Sequence, residues 1–463
     1  MLNPDETIED FRQGKLDFDC KRMVLTQRKK GGERFIGKGY IRQLDDGTLT
    51  FKLYVTRHNA KPQQNIETFL RTKAGEIHGD DLYYDLKATA YDGTQWTATR
   101  IMPAPSWDFG DRRGISVIMG GRLQSIAAPL NRDFYKSRSK HYLRLHFFEE
   151  YELPLRRMSE FKDEDGTRWV SDHAEFEAYG SQFTVRKRSG ATTVEVASER
   201  KFPAAYDLRV QEAIQYITAK TAIWRALVTS SRGGLRLELA MPWRKSSRTQ
   251  FTQPISAVSS DFDSHIWKLF DKYLEYVATR TKGTYWNPVA YHLYNACEAT
   301  ANSIDAWAVG VYVAVEAVAS LVMLKGDTKE AAQIASIQRA MQKWLVEQSF
   351  SERHTKRIAG QIGALGEKRP QDTLYALAET GRVEKTYIKA WQNLRNRHVH
   401  PKPKDLEKPS PKDYQKLLDD IHRTEVLLRQ LTFFLIGYEG PFTDYGIHGN
   451  QVPPSKQYPL KLA

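Results

Sequence analysis

Two cysteines in 463 residues, Cys20 and Cys297, cannot build a disulfide framework, and no CxxC pair is present to seed a zinc site. So few thiols suit a reducing compartment. The sequence also has no Walker loop, no HExxH and no GxSxG, which removes the commonest signatures of nucleotide, zinc-protease and serine-hydrolase chemistry. Gly37-x-Gly39 lacks the third glycine of a dinucleotide loop and runs on into strand-like sequence. Internal repeats and low-complexity tracts are absent as well. Long apolar runs are missing but for Ala306 to Leu324, AWAVGVYVAVEAVASLVML. Glu316 sits in the middle of that run, where a carboxylate at bilayer depth is costly, so it reads as a fully buried core helix. The opening MLNPDETIEDFRQGKLDFD is acidic and polar, unlike a secretory signal or transit peptide. The expectation is a cytoplasmic protein with no membrane partner.

An acidic surplus is lacking too. Lys and Arg number 69 against 56 Asp and Glu, a formal net charge of +13 with pI near 9.4. Such a balance favours polyanionic partners without specifying a fold. Residues 382–413 concentrate it, with nine Lys/Arg against four Asp/Glu. Further basic spots are Arg353-His354-Thr355-Lys356-Arg357 and the stretch from Lys21 to Arg34. Hydrophobic content of 41% and charged content of 27% are those of a globular protein long enough for two or three domains.

The pattern changes along the chain, and predicts a multidomain α+β protein: a mainly β N-terminal region followed by an all-α helical domain. Leu49, Phe51, Leu53 and Val55 alternate with polar residues, and Asp45-Asp46-Gly47 before them can turn a hairpin with Tyr40–Leu44. Phe183–Val185 and Val194–Val196 form a second hairpin around Ser189-Gly190, and Leu235, Leu237 and Leu239 mark a further strand. Between them Val210 to Val228 has helical spacing through Ile214, Ile217, Ile223, Trp224 and Leu227. These readings give a β-rich region over 1–245, with room for two subdomains, then a Ser/Thr-rich linker over 246–264. Beyond it, helices are expected at 265–281, 287–302, 304–324, 328–350, 353–366, 371–379, 383–399 and 411–437, with a C-terminal tail at 446–463. Lys325-Gly326-Asp327 should stop one helix and Thr328 cap the next; Gly437 should end the last. Pro401, Pro403, Pro409 and Pro411 keep 401–411 out of helix and place His400 just past a helix end.

Chemistry-bearing candidates are few. Arginine followed by four to six residues and then histidine occurs at Arg71–His78, Arg168–His173 and Arg395–His400. The first two lie in β-rich sequence without an adjacent amide. The third reads Arg395-Asn396-x-x-x-His400 at the end of an apolar-periodic helix beside the basic loop. Guanidinium gives bidentate phosphate contacts that strengthen as charge develops, and histidine titrates near neutrality, so the set can grip a phosphodiester and move a proton. Cations at a helix C-terminus also complement its dipole without any chemistry. Glu149, Glu150 and Glu152 read as a solvated strand edge. Most of the 10 Trp and 23 Tyr should be core or half-buried strand positions, although exposed ones can stack bases.

A helical domain with Val315-Glu316-Ala317 on an apolar helix and R-N-x-x-x-H before a proline resembles the HEPN superfamily. Residues 265–445, with the weaker similarity of Gly437 to Tyr445, look most like the HEPN domain of ApeA-like antiphage proteins. The resemblance covers less than half the chain. It implies a metal-independent endoribonuclease, without cofactor, acting in antiviral defence of the abortive-infection type. The cleft would form between two protomers of a homodimer, with RNA (tRNA or mRNA) as substrate and a phage-derived trigger. By the same resemblance Arg395 would stabilise the phosphate, Asn396 orient it and His400 transfer a proton. The 2′-hydroxyl would attack its own phosphorus, leaving a 2′,3′-cyclic phosphate. Arg397, His398, Lys402 and Lys404 would add auxiliary RNA contacts. Two alternatives of other classes are a non-catalytic HEPN module that docks RNA or protein, and a helical dimerisation domain serving a ligand-binding β domain.

Overall fold

The computed structural model describes residues 2–59, 77–108, 116–131, 140–163, 166–188, 190–231, 234–241, 251–283, 285–322, 328–366, 369–399, 410–447 and 453–460. The chain divides into two compact units, 1–211 with 222–246, and 212–221 with 247–463.

The first unit opens with helix α1 (Pro4–Arg12) and continues through β1 (Asp17–Gln27), β2 (Arg34–Gln43), β3 (Leu49–His58), β4 (Tyr84–Ala90), β5 (Gln95–Ile101), β6 (Ala104–Asp108), β7 (Ser116–Leu123) and β8 (Ser125–Leu130). There follow β9 (His141–Phe147), β10 (Arg157–Asp163), β11 (Gly166–Ala178), β12 (Ser181–Arg188), β13 (Ala191–Ser198), helix α2 (Tyr206–Thr218), whose residues from 212 on belong to the second unit, β14 (Ala226–Ser231) and β15 (Gly234–Ala240). All fifteen strands join one antiparallel sheet, ordered β10-β11-β12-β13-β9-β14-β15-β8-β5-β4-β1-β2-β3-β7-β6.

The β2–β3 hairpin forms as the alternation predicts. Ile41 pairs with Phe51 and Gln43 with Leu49, and Gly47 closes the turn at φ 81°. Leu49, Phe51 and Leu53 are buried, joining Met23, Leu25, Leu86 and Trp96 in one core against which Ile8 and Phe11 of α1 pack. The second hairpin is β12–β13, where Phe183 faces Val196 and Val185 faces Val194 around Gly190 at φ 80°; Ser189 lies outside the described residues. Leu235, Leu237 and Leu239 are buried in β15.

The expected helix over Val210–Val228 is corrected. It ends at Thr218, Ala219 turns left-handed at φ 52°, and Ala226–Ser231 is β14. This strand is paired on both edges, to β15 and β9, and Ala226, Leu227 and Val228 are all buried. Two ladders of hydrogen bonds outweigh a helical spacing that continues by coincidence past Thr218.

The second unit holds α3 (Phe262–Arg280), α4 (Pro288–Ala299), α5 (Ile304–Ser320), α6 (Thr328–Val346), α7 (Glu352–Ala364), α8 (Pro370–Glu379), α9 (Lys385–Val399) and α10 (Pro411–Ile436). Each expected helix is present, most with ends a few residues shorter. The caps follow local chemistry. Asn287 accepts from the amide of Val289 ahead of Pro288, Ser303 accepts from Ala306, and Ser410 and Asp413 form a capping box before α10. Gly437 ends α10 in the left-handed conformation at φ 65°. Thr328 is the first helical residue of α6, and Lys325-Gly326-Asp327 lies outside the described residues.

This unit is not wholly helical, which corrects the all-α expectation. Past Gly437, β16 (Gly440–Thr443) pairs with β17 (Ser455–Tyr458), so part of the expected C-terminal tail is a strand. The amide of Thr443 donates to Pro254 and that of Ser256 to the Thr443 hydroxyl, so the expected linker segment around 254–256 is hydrogen-bonded into the unit. No helix among the described residues is long and apolar enough to cross a membrane. α5 is not fully buried either: Val309 and Val313 are 36% and 44% exposed, and Glu316 lies at the surface edge.

Candidate active site

Helix α9 buries Tyr387, Ile388, Ala390, Trp391 and Leu394, the three-and-four spacing of a helix seated on one face. Trp391 is the anchor. Its indole N–H donates to the carbonyl of Tyr312 on α5 at 3.1 Å. Arg395 follows one turn later on the same side, and Glu316 follows Tyr312 by the same step on α5. The two meet with Arg395 Nε 3.4 Å from Glu316 Oε2. Both side chains keep more than a third of their surface in solvent, at 38% and 39%. An ion pair so exposed contributes little to stability, about 0.2–1 kcal/mol. It does fix where the guanidinium points, and it leaves the Nη edge without a bonded partner among the described residues.

His398 caps the same face. Its Nδ1 lies 2.8 Å from the carbonyl of Leu394, a contact that requires this nitrogen to donate. Nε2 lies 3.4 Å from Asp305 Oδ1, and the ring stacks on Tyr312 with centroids 6.0 Å apart. With a carbonyl on one nitrogen and a carboxylate on the other, both contacts form together only when the ring carries two protons. His398 is thus part of the α5–α9 joint.

Asn396 is exposed, next to Arg395 on the helix and turned off its face. Arg397 is half-buried, and its charge adds a small lowering to the Asp413 carboxyl, which the Ser410 side chain and backbone chiefly hold down. On the opposite flank Asn393 donates to Asp420 of α10 at 3.3 Å, while burial raises the Asp420 pKa. His400, Lys402 and Lys404 lie outside the described residues, as does Arg71; α9 is described as far as Val399. The structure therefore pairs Arg395 with Glu316 and His398 with Asp305, at different levels of α5. Among the described residues no three His, Cys, Asp or Glu side chains cluster closely enough to hold a metal ion.

Behind this joint lies a polar network that motif reading missed. α10 is buried on every side from Thr424 to Phe433, yet carries Glu425 and Arg429. Glu425 accepts from Trp307 Nε1 at 2.6 Å and from the Thr252 hydroxyl at 2.8 Å. Burial pushes its carboxyl up to about 7, against the opposing charge of Arg429 and those hydrogen bonds. Arg429 donates to the carbonyl of Gln253 at 2.6 Å and lies over the rings of Phe251 and Tyr445. The signal available was an i, i+4 pair of opposite charges inside the apolar run Val426, Leu427, Leu428, Leu431. No protein-family model, curated protein or solved structure matches this chain.

Proposed function

We propose that this protein is a metal-independent endoribonuclease of HEPN type, acting as an antiviral effector whose β-rich unit senses a trigger or positions RNA. The observation that carries the reading is the placement of Arg395. It stands at the C-terminal end of α9, anchored by Trp391, aimed by Glu316 and half-open to solvent, five residues before His400. In that role Arg395 would hold the scissile phosphate and neutralise charge gathering on its oxygens. His400 would take the 2′-hydroxyl proton or deliver one to the departing 5′-oxygen, with Asn396 orienting the phosphate. The bond formed joins the 2′-oxygen to phosphorus, and the bond broken is that to the 5′-oxygen.

A single Arg and a single His make a sparse site, which pairing of two protomers would complete. The exposed Val309 and Val313, one turn apart on α5 beside Glu316, supply an apolar surface for such pairing.

One observation favours the second reading, a non-catalytic RNA- or protein-binding module: the Arg395 guanidinium already has a carboxylate partner, as a structural strut would. The test is incubation of the purified full chain with total RNA in EDTA. Cleavage to 2′,3′-cyclic phosphate ends, lost in Arg395→Ala and in His400→Ala, supports the nuclease. RNA binding without cleavage by the unaltered chain supports the module and overturns the nuclease.

A further inference from the structure

The outward face of β2, β3 and β7 carries a pattern that the candidate site does not use. Cross-strand register places Lys38 opposite Tyr54, Tyr40 opposite Lys52, and Arg42 opposite Thr50. On the other edge of β3, Thr50 faces Arg122, Lys52 faces Gly120 and Tyr54 faces Ile118. The intervening Ile41, Phe51, Leu53 and Met119 are buried, so the alternation sends Lys38, Tyr40, Arg42, Lys52, Tyr54 and Arg122 to the opposite, open face. The result is a chequerboard of cations and tyrosines. The Arg42 guanidinium lies 4.7 Å from the Tyr40 ring centre and the Lys52 ammonium 5.3 Å from that of Tyr54. Tyr54 is 45% exposed.

Three glycines shape this surface. A Cβ at Gly37 or Gly39 would run into the carbonyls of Tyr54 and Lys52, so only glycine lets β2 approach β3 in this register. Gly120 leaves the position beside Lys52 without a side chain.

We propose that this face binds single-stranded RNA, its tyrosines stacking bases and its Lys and Arg side chains meeting phosphates. Three features select that ligand. The outward described positions of β2, β3 and β7 include no carboxylate, whereas an ordinary solvated face mixes both signs. Of the acids on the flanking strand β1, Asp17 is taken up by Arg42 at 2.9 Å and Asp19 stands opposite Tyr40. Tyr40 and Tyr54 stand in the diagonal relation, about 7–8 Å apart at the backbone, that two unstacked neighbouring bases can span. A duplex keeps its bases internal and could use the cations but not the rings. The choice of RNA over DNA rests on the ribonuclease reading; the base-stacking platform itself does not.

The experiment uses the full chain carrying His400→Ala, so that RNA stays whole, and fluorescence anisotropy with labelled oligouridine of roughly 15 nucleotides, one site size. Tyr54→Ala should raise Kd roughly fivefold to a hundredfold, the range of a lost stacking contact, with Tyr54→Phe within about twofold of the parent. Lys52→Ala with Arg122→Ala should lower the slope of log Kd against log salt by about 1.4, two phosphate contacts on a single strand. Tyr91→Ala, 63% exposed just beyond β4, should change nothing. Equal binding by Tyr54→Ala, or an RNA duplex of the same length bound as tightly, overturns the proposal. RNA cleavage by the unaltered chain, with Tyr54→Ala binding unchanged, retains the nuclease and removes the platform. Weakened binding by Tyr54→Ala in a chain that cuts no RNA does the reverse.

Discussion

Trp307 on α5 and Glu425 on α10 are joined by an indole-to-carboxylate hydrogen bond of 2.6 Å, with both residues buried. The bond ties the helix that bears Glu316 to the central helix of its unit. It also stores a pH dependence. The Glu425 pKa is raised from 4.5 to about 7 by burial, so its stabilising contribution is whole below pH 4.5 and is lost as pH rises through about 7.

The first prediction follows from that sign. Between pH 4 and 8 the unfolding free energy of the unaltered chain, relative to Glu425→Gln, should fall by about 3 kcal/mol. Urea unfolding monitored at several pH values checks it. A difference that stays flat with pH would mean that Glu425 titrates alike in the folded and unfolded chains.

Glu316 should act on Arg395 and not on the fold. Glu316→Gln is expected to slow RNA cleavage about tenfold, with most of the loss in kcat, because the guanidinium loses its aim. Stability should change by no more than about 1 kcal/mol, the range of an exposed ion pair. Full activity in Glu316→Gln would reduce the contact to a surface pairing.

Gly310 sets how closely α4 and α5 pack. A Cβ there would lie 2.6 Å from that of Ala299. Gly310→Ala gains about 0.5–1 kcal/mol of helix preference but adds about 1–3 kcal/mol of overpacking. The net should be a destabilisation, read as a lower Tm. A raised Tm would show that the two helices can separate without loss.

Pairing of protomers should depend on the exposed α5 surface. Val313→Asp is expected to convert a micromolar dimer to monomer by light scattering and to abolish cleavage, with the monomer's secondary structure intact. Mixing Arg395→Ala with His400→Ala chains should restore part of the activity if each protomer supplies one group. An unaltered chain that is monomeric and active would refute the composite site.

Restraint and RNA positioning by the β-rich unit predict opposite results. A chain of residues 260–463 should be more toxic than the full protein under restraint, and feeble under positioning. This fragment lacks Thr252 and Gln253, which bond Glu425 and Arg429, and also 212–221, which belongs to the same unit, so the comparison must join 212–221 through a linker to 247–463 to keep the unit whole. Equal toxicity of that joined chain and the full protein, with and without phage, would leave the β-rich unit without either role.

Much of this architecture was written locally. Alternation at Leu49, Phe51 and Leu53 specified strand and buried face together; three-and-four spacing with Asn287, Ser303, Ser410 and Gly437 specified helices and their ends. Arg395 and Asn396 were legible because their helix and their motif are contiguous. Contacts between distant segments were not. β14 is a strand because β9 and β15 pair with it on both sides, against its own helical spacing. Arg395 owes its aim to Glu316, 79 residues away, and Glu425 its raised pKa to burial among segments that meet only in the fold. Periodicity reports what a chain does to its own neighbours, whereas register, burial of charge and the partner of a guanidinium depend on which surfaces close upon one another. That is decided by packing the whole unit, where non-local hydrogen bonds and desolvation outweigh local preference.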